Sequence, residues 1–179
     1  MTRRNLLILI SGAPGTGKTT LAARLAAELG LPAIGKDLVK EALLDAFPGA
    51  DLALSQQLGR GAYNALYAVL RQVLPVTSAI VEANFRRGLS EAQLRTFLDS
   101  VSGCQINCSC GDTARRYVQR KRHPGHHDAL RVDDLKAELA AGIYEPLDLG
   151  VPLLGVDTSD GYAPSLEAIA VFVRASMPV

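Results

Sequence analysis

Short apolar runs alternate with longer amphipathic segments along the chain. Residues 6–10, which read LLILI, are apolar without alternation, and this is typical of a strand buried on both faces of a parallel sheet. Further strands are predicted at residues 31–34, 77–81, 104–110 and around 153–156. Because helical segments separate these runs, the pattern predicts an α/β fold with a parallel sheet and right-handed crossovers.

Helices are predicted between the strands. Their ranges are 18–29, 36–47, 55–74, 90–100, a segment that begins at residue 112, and segments around 132–141 and 165–175. Gly30 is placed to end the first of these helices, and Pro75 to end the third. Ser90 and Gln93 have the spacing of a capping box at the start of the fourth helix. No repeat or linker divides the sequence, so residues 1–179 are predicted to form one domain.

Composition and charge narrow the class of protein. The chain has 179 residues, of which 48% are hydrophobic and 21% charged, and its net charge is +1. The hydrophobic and charged fractions fit a globular domain. The net charge is too small for the whole protein to attract nucleic acid or membranes electrostatically, so any binding of an anion must depend on a local group of basic residues. The apolar run at the start is too short to cross a bilayer or to form a signal peptide. We therefore expect a cytoplasmic protein with no membrane partner.

The three cysteines are grouped at the end of one predicted strand. Cys104, Cys108 and Cys110 are odd in number, and a reducing compartment disfavours a disulfide framework. Their spacing leaves a metal site open as an alternative. Packing as small apolar side chains in a buried strand is the favoured interpretation.

A phosphate-binding loop is the most specific motif in the sequence. Residues 12–19, GAPGTGKT, fit G-x-x-x-x-G-K-[ST] between a predicted strand and a predicted helix. Backbone N–H groups of such a loop surround phosphate oxygens, Lys18 reaches the β- and γ-phosphates, and Thr19 offers its hydroxyl to Mg²⁺. Lys18 is predicted to be catalytic as well as nucleotide-binding. The predicted nucleotide-binding residues are Gly12, Ala13, Pro14, Gly15, Thr16, Gly17, Lys18, Thr19 and Thr20. A chance glycine-rich turn is the disfavoured alternative.

Two charged residues follow the second predicted strand. Asp37 is expected at the carboxyl edge of the sheet, where ligands of parallel α/β proteins bind. There its carboxylate can accept the proton of an acceptor hydroxyl, so we predict a catalytic role for Asp37 and acceptor contacts for Asp37 and Lys40. Simple capping of the next helix by Asp37 is the alternative.

Polar side chains also follow the third predicted strand, in the sequence VEANFRR at residues 81–87. Glu82 is predicted to bind Mg²⁺ through water or to position the acceptor. Asn84 and Arg86 are predicted to hydrogen-bond polar groups of the acceptor. The alternative is a solvated ion pair at the sheet edge.

A basic segment begins at residue 112. Arg116 and Arg120 are four residues apart, so they share one face of the predicted helix. Such a helix can close over ATP and stabilise the charge of the transferring phosphoryl group, and we predict that both arginines are catalytic and that Arg122 binds the nucleotide. A solvated charged face is the alternative.

All the histidines of the chain lie in residues 120–128, RKRHPGHHD. Their spacing would suit a metal if it were helical, but Pro124 and Gly125 break a helix there. We therefore predict that this stretch forms the hinge and tip of a lid. His126 is predicted to contact the acceptor, while contact of a histidine with nucleotide or with Asp128 stays open.

These motifs together resemble the small P-loop kinases of the nucleoside-monophosphate-kinase-like class. The resemblance is to AAA-domain kinases related to polynucleotide 5′-hydroxyl kinase, zeta toxin and chloramphenicol phosphotransferase. It is carried by GAPGTGKTT at 12–20, KDLVK at 36–40, VEANFRR at 81–87 and the basic run into RHPGHHD at 122–128.

The resemblance implies a P-loop NTPase fold with a five-stranded parallel sheet in the order 2-3-1-4-5 and a lid of about residues 112–131. It implies that Asp37 matches the general base of polynucleotide kinases. Lys40 stands where those enzymes have an arginine, and lysine is a point charge without the bidentate fork of arginine. This departure disfavours a nucleic-acid acceptor.

The function predicted from the sequence is an ATP- and Mg²⁺-dependent phosphotransferase that acts on a hydroxyl of a small molecule. A polynucleotide 5′-hydroxyl kinase is the first alternative, although only 5% of the residues are aromatic and could stack on bases. A slowly hydrolysing nucleotide-dependent switch is the second alternative. The expected partners are a nucleotide and a small-molecule acceptor.

Overall fold

A computed structural model describes residues 4–178 of the chain. Five strands form one parallel sheet in the order β2-β3-β1-β4-β5, which confirms the predicted fold and strand order. Their bounds are Leu6–Gly12 for β1, Ala33–Gly35 for β2, Ala79–Glu82 for β3, Ser102–Ser109 for β4 and Leu153–Asp157 for β5. The predicted domain ends, residues 1 and 179, lie outside the described residues.

Seven α-helices are present in residues 4–178. They are α1 Lys18–Leu29, α2 Lys36–Ala46, α3 Leu52–Val73, α4 Glu91–Leu98, α5 Thr113–Gln119, α6 Val132–Ala140 and α7 Leu166–Ala175. Two short 3₁₀ turns, Pro124–His126 and Asp128–Arg131, connect α5 to α6. None of the helices in this part of the chain is long and apolar enough to cross a membrane.

The core lies on both faces of the central strand. Every residue of β1 is buried, because α1 and α7 cover one face of the sheet while α3 and α4 cover the other. This two-sided burial is the reason that residues 6–10 show no alternation of polar and apolar side chains. The longest core helix, α3, places Leu66 and Leu70 against β1 and β3.

Two local predictions differ from the structure. Helix α3 begins at Leu52, earlier than predicted, because the side chain of Asp51 accepts a hydrogen bond from Leu54 N at 2.8 Å and caps the helix. The predicted capping box of α4 is wrong, since the hydroxyl of Ser90 accepts a hydrogen bond from Arg86 N instead of from its own helix. The amide of Gln93 donates to Thr96 Oγ1.

The cysteines belong mainly to the core. Cys104 and Cys108 are buried in β4, where burial raises the pKa of each thiol to about 12, and Cys110 is half-buried after the strand. All three are free thiols. Among the described residues, no three histidine, cysteine or acidic side chains group together to bind a metal ion.

The carboxyl ends of the central strands meet at one edge of the sheet. Glu82 of β3 is in register with Ile10 of β1 on one side and with Gly35 of β2 on the other. The chain leaves β1 into the glycine-rich loop and leaves β2 directly into α2. The register therefore brings the glycine-rich loop, Glu82 and Asp37 to the same edge.

Candidate active site

The glycine-rich loop connects the end of β1 at Gly12 to the start of α1 at Lys18. Gly12 has a φ of 133°, and a Cβ at this position would lie 2.2 Å from the carbonyl oxygen of Cys108. Only glycine fits here, because the loop backbone passes directly against β4. At Gly15 a Cβ would lie 3.1 Å from the backbone of Thr113 and Tyr117. The helix α5 is therefore packed against the phosphate loop.

Lys18 is buried within the loop that precedes it. Its Nζ atom donates a hydrogen bond to Ala13 O at 2.7 Å, and the residue is 6% exposed. Burial lowers the pKa of Lys18, while the nearby carboxylates of Glu82 and Asp37 act in the opposite direction. The ammonium group is thus positioned between the loop and the acidic side chains of the sheet edge.

Thr19 and Glu82, which the sequence predicts to bind Mg²⁺, lie beside each other at the phosphate loop. The Thr19 hydroxyl donates to Glu82 Oε2 at 3.2 Å, and Glu82 is only 3% exposed. Burial raises the pKa of Glu82, although the positive charge of Lys18 opposes the shift. A hydroxyl and a carboxylate side by side at the phosphate loop fit Mg²⁺, which prefers oxygen ligands and keeps several water molecules.

Asp37 is held by cations on two sides. Lys36 Nζ lies 3.0 Å from one carboxylate oxygen, and a guanidinium nitrogen of Arg122 forms an ion pair with the other at 2.8 Å. Burial opposes ionisation of Asp37, but Lys36 and Arg122 outweigh it, so the pKa of this carboxyl is well below its usual range. No side chain caps α2, whose N-cap is Gly35, so the capping alternative for Asp37 is wrong.

Asp128 contacts basic side chains of residues 112–131, the segment that is predicted to be a lid and is called the lid below. Its carboxylate accepts hydrogen bonds from the hydroxyl of Tyr117 at 2.9 Å and from Nε of Arg120 at 3.0 Å. The guanidinium of Arg120 also lies over the Tyr117 ring, 4.4 Å from its centroid. Arg122 approaches the same carboxylate at 3.8 Å. Arg120 and Arg122 are therefore ordered by one half-buried acid.

Arg116 is directed to the loop after β5. Its guanidinium donates to the carbonyl oxygens of Thr158 at 2.8 Å and Ser159 at 2.6 Å. The hydroxyl of Thr158 in turn donates to Thr16 O in the phosphate loop at 2.9 Å. Arg116 lines the cavity at the sheet edge, and these contacts connect the start of the lid with the phosphate loop.

The histidines contact α2 and the turn that follows it. His123 Nε2 lies 3.2 Å from Asp45 Oδ1, and His127 Nε2 lies 2.9 Å from Ala50 O. The 3₁₀ turn at Pro124–His126 confirms that this stretch is not one continuous helix. In the part of the chain that the structure describes, no hydrogen bond joins a histidine to Asp128 or to the phosphate loop.

His126 is buried between the lid and α2. Its Nε2 atom lies 2.5 Å from an Arg122 nitrogen and 2.9 Å from Glu41 Oε1. Only one of these contacts can be a hydrogen bond, because Nε2 would have to accept from arginine and donate to the carboxylate at the same time. Arginine can only donate, so Nε2 is the acceptor and the ring is neutral. Burial and Arg122 lower the pKa of His126 to about 2, which agrees with a neutral ring.

Two residues after β3 have different surroundings. Asn84 lines the cavity and accepts a hydrogen bond at its carbonyl oxygen from the hydroxyl of Tyr63 at 3.0 Å. The guanidinium of Arg86 instead pairs with Glu138 on α6 at 2.6 Å and does not line this cavity. The structure thus places Asn84 at the cavity and Arg86 against α6.

A cavity of about 670 Å³ joins these groups at the carboxyl edge of the sheet. It includes side chains that the sequence did not identify: Lys36, Glu41, Tyr117, Asp128 and Arg131. Lys36 could have been identified from its position beside Asp37. The others could not, because their approach depends on how the lid crosses the sheet edge.

The parallel sheet, the strand order and the phosphate loop define a P-loop NTPase with the fold of the small kinases. The chain belongs to the AAA domain family, which it matches over residues 7–141. No curated protein matches the chain significantly.

Solved structures agree with this fold. A protein from Chloroflexus aurantiacus j-10-fl, described as "a putative kinase", is 33% identical, with 98% of this chain and 100% of that chain covered and a TM-score of 0.83. A sugar kinase from a Janibacter species is 16% identical, with coverage of 96% and 95% and a TM-score of 0.62. A gluconokinase from Sinorhizobium meliloti 1021 is 18% identical, with coverage of 97% and 95% and a TM-score of 0.56. The last two show likeness of fold alone.

Proposed function

We propose that this protein is a kinase that transfers the γ-phosphoryl group of ATP, with Mg²⁺, to a hydroxyl group of a small molecule. The observation that carries the proposal is the position of Asp37. This ionised carboxylate shares one cavity with Lys18 of the phosphate loop and with the lid arginines. The descriptions of the similar structures as kinases support the same conclusion.

In this proposal the phosphate loop and the lid hold ATP from opposite sides. Backbone N–H groups of residues 12–19 surround the β-phosphate, and Lys18 turns from Ala13 O towards the phosphate oxygens. Arg120 and Arg122 approach the phosphate groups of ATP from the lid, and Arg116 binds ATP from the start of the lid. Thr19 and Glu82 would hold Mg²⁺, which when bound would neutralise the negative charge that develops during the transfer.

Asp37 acts on the acceptor hydroxyl. Because its pKa is well below the usual range, the carboxylate is charged at neutral pH and orients the hydroxyl by accepting its hydrogen bond. The acceptor oxygen then bonds to the γ-phosphorus as the bond to the β,γ-bridging oxygen of ATP breaks, and the hydroxyl proton passes to Asp37. In a loose transition state the acceptor oxygen has formed little of its bond to phosphorus, so its proton leaves late in the reaction. A weak base such as Asp37 is therefore sufficient.

The ion pair between Asp37 and Arg122 links lid position to basicity. When Arg122 binds a phosphate group instead, Asp37 loses one of the cations that lower its pKa, while burial continues to raise it. Closing of the lid on ATP would therefore make Asp37 a stronger base.

The two alternative functions, a polynucleotide 5′-hydroxyl kinase and a nucleotide-dependent switch, have less support. Tyr117 is the one aromatic side chain lining the cavity in residues 4–178, and it is 4% exposed with its hydroxyl bound to Asp128. It therefore offers little surface on which a nucleic-acid base could stack. A switch that only binds and slowly hydrolyses nucleotide would need no carboxylate at the position of Asp37.

The replacement Asp37→Asn tests the proposal. The protein is incubated with labelled ATP, Mg²⁺ and pools of nucleosides, sugars, antibiotics and 5′-hydroxyl oligonucleotides. We expect wild-type protein to label a small molecule, and Asp37→Asn to lose about 10²- to 10⁴-fold in kcat with nucleotide affinity nearly unchanged. Equal transfer by the variant would disprove the role of Asp37, and slow hydrolysis without labelling of any acceptor would contradict a kinase.

A further inference from the structure

Glu138 of α6 has a different partner on each of its carboxylate oxygens. Arg86 donates to Oε1 at 2.6 Å, and the hydroxyl of Tyr144 donates to Oε2 at 2.5 Å. The Glu138 side chain is 18% exposed and Tyr144 is buried, so water competes little for these contacts. Because α6 directly follows the lid, Glu138 joins this part of the chain to the residues after β3.

Tyr144 connects Glu138 to the cavity at the sheet edge. Burial and the hydrogen bond to Glu138 raise the pKa of Tyr144, whereas the charge of Arg86 and a hydrogen bond with the side chain of Asn84 oppose the shift. Asn84 lines the cavity together with two other predicted acceptor contacts, Asp37 and Lys40. The hydroxyl of Tyr144 therefore lies between a carboxylate and an amide that faces the cavity.

The carboxylate of Glu138 decides which atom of the Asn84 amide faces Tyr144. A tyrosine hydroxyl has a single hydrogen, and here that hydrogen is donated to Glu138, because a carboxylate can only accept. Tyr144 can therefore only accept from Asn84, so the amide nitrogen and not the amide oxygen must face it. The amide oxygen lies on the side of Tyr63, whose hydroxyl is 3.4 Å away.

A second ion pair joins the same two segments and differs in its surroundings. Arg87 pairs with Glu145, and Arg87 N donates to Ile143 O at 2.8 Å. Both side chains of this pair are exposed, and neither lines the cavity at the sheet edge. An ion pair of this kind is sufficient to hold the two segments together, whereas the contacts of Glu138 continue through Tyr144 to Asn84.

We propose that Glu138 and Tyr144 are positioning residues that fix the orientation of the Asn84 amide for binding of the acceptor molecule. This inference rests on the proposed function, in which a small-molecule acceptor binds in the cavity next to Asn84. A fixed amide presents its donor and its acceptor atom in one order, which suits an uncharged hydroxyl or amide group of the acceptor. A reversed amide would place a donor where an acceptor is needed, so the orientation contributes to specificity.

The first test observes the amide directly by NMR and needs no turnover. The chain has four asparagines, Asn5, Asn64, Asn84 and Asn107, so ¹⁵N-asparagine labelling of the full chain gives four side-chain NH₂ pairs. The variant Asn84→Ala identifies the pair of Asn84. In wild type we expect nuclear Overhauser contacts from this pair to the ring of Tyr144. In Tyr144→Phe, which keeps the ring and removes the hydroxyl, the pair should exchange with water on the order of tenfold faster.

The replacement Glu138→Gln should reverse the amide of Asn84. Arg86 can only donate, so it keeps the oxygen of the new amide, and the nitrogen of that amide faces Tyr144. The Tyr144 hydroxyl then accepts from this nitrogen and donates its own hydrogen to the oxygen of Asn84. We expect the nuclear Overhauser contacts of the Asn84 pair to move from Tyr144 to Tyr63. The matched control Glu145→Gln removes the exposed pair with Arg87 and should leave the Asn84 signals unchanged.

The second test measures the consequence for the acceptor. Transfer from labelled ATP to the pools of nucleosides and sugars is followed at graded pool concentrations. We expect the half-saturating concentration to rise about three- to tenfold in Tyr144→Phe and in Glu138→Gln, with a smaller change in kcat. In the background of Asn84→Ala, the further replacement Tyr144→Phe should have little additional effect, because Tyr144 acts through the amide that is already absent.

Two results would overturn the inference. One is an Asn84 pair that keeps its contacts and its exchange rate in Tyr144→Phe and in Glu138→Gln. The other is an undiminished effect of Tyr144→Phe in the background of Asn84→Ala, which would show that Tyr144 does not act through Asn84. A reoriented Asn84 amide in a protein that labels no acceptor would contradict the proposed kinase and not the positioning of Asn84.

Discussion

Arg122 forms an ion pair with the carboxylate of Asp37 on α2 across a distance of 2.8 Å. The contact joins the segment after β4, which contains Arg122, to Asp37 after β2, the residue that we propose as the base. If Arg122 also binds a nucleotide phosphate, as we propose, the pKa of Asp37 will depend on which of the two groups Arg122 contacts.

The replacement Arg122→Met should raise the pKa of Asp37. One of the two cations that lower it is removed, while burial, which raises it, remains. Carboxyl ¹³C NMR during a titration from neutral to acidic pH measures this value directly, and we expect protonation of Asp37 at a higher pH than in wild type. Arg87→Met is the matched control, since Arg87 pairs with Glu145 at the surface. An unchanged Asp37 titration would contradict the proposed coupling.

The replacement Glu82→Gln should weaken Mg²⁺-dependent nucleotide binding. It removes the charge of the carboxylate that accepts the hydrogen bond of Thr19 and leaves the size of the side chain unchanged. We expect the Mg²⁺ concentration for half-maximal ATP binding to rise on the order of tenfold. Nucleotide binding measured without Mg²⁺ serves as the control and should change little. An unaltered Mg²⁺ requirement would show that Glu82 has another role.

The replacement His126→Ala should raise KM more than it lowers kcat. The neutral ring fills a buried position between Arg122 and Glu41, so it supports the docking of the lid on α2 without titrating near pH 7. Steady-state kinetics separate the two effects. If turnover disappeared while nucleotide and acceptor binding stayed intact, His126 would be a catalytic group.

The replacement Lys40→Met should stabilise the protein, by about 1–4 kcal/mol, because it removes an unpaired buried charge. The pKa of Lys40 is lowered on folding to about 8, so between that pH and the unfolded value near 10.4 the unfolded chain binds more protons. Wild-type stability should accordingly rise with pH through this window. In Lys40→Met this rise should be smaller, because only buried groups such as Lys18, whose pKa burial also lowers, still contribute to it. Thermal unfolding at pH 7 and at pH 10 measures both effects. A less stable variant at pH 7 would contradict the description of Lys40 as uncompensated.

Much of the fold was predictable because its signals are local. Residues 6–10 and 12–19 are consecutive in the sequence, and a buried strand, a glycine-rich loop and a helix need only neighbouring residues to form. The position of Asp37 followed in the same way, since the carboxyl ends of parallel strands meet at one edge.

Local sequence patterns are therefore sufficient to predict the strands and helices, the phosphate loop and the polar side chains at the carboxyl edge of the sheet. Tertiary structure alone decided their partners: Arg86 pairs with Glu138, His126 with Arg122, and Lys40 with no residue of the described chain. These outcomes depend on how the lid crosses α2, which brings Glu41 and His126 together although they are 85 positions apart in the sequence. Packing of distant segments sets such distances, and no periodicity of hydrophobic or charged residues encodes them.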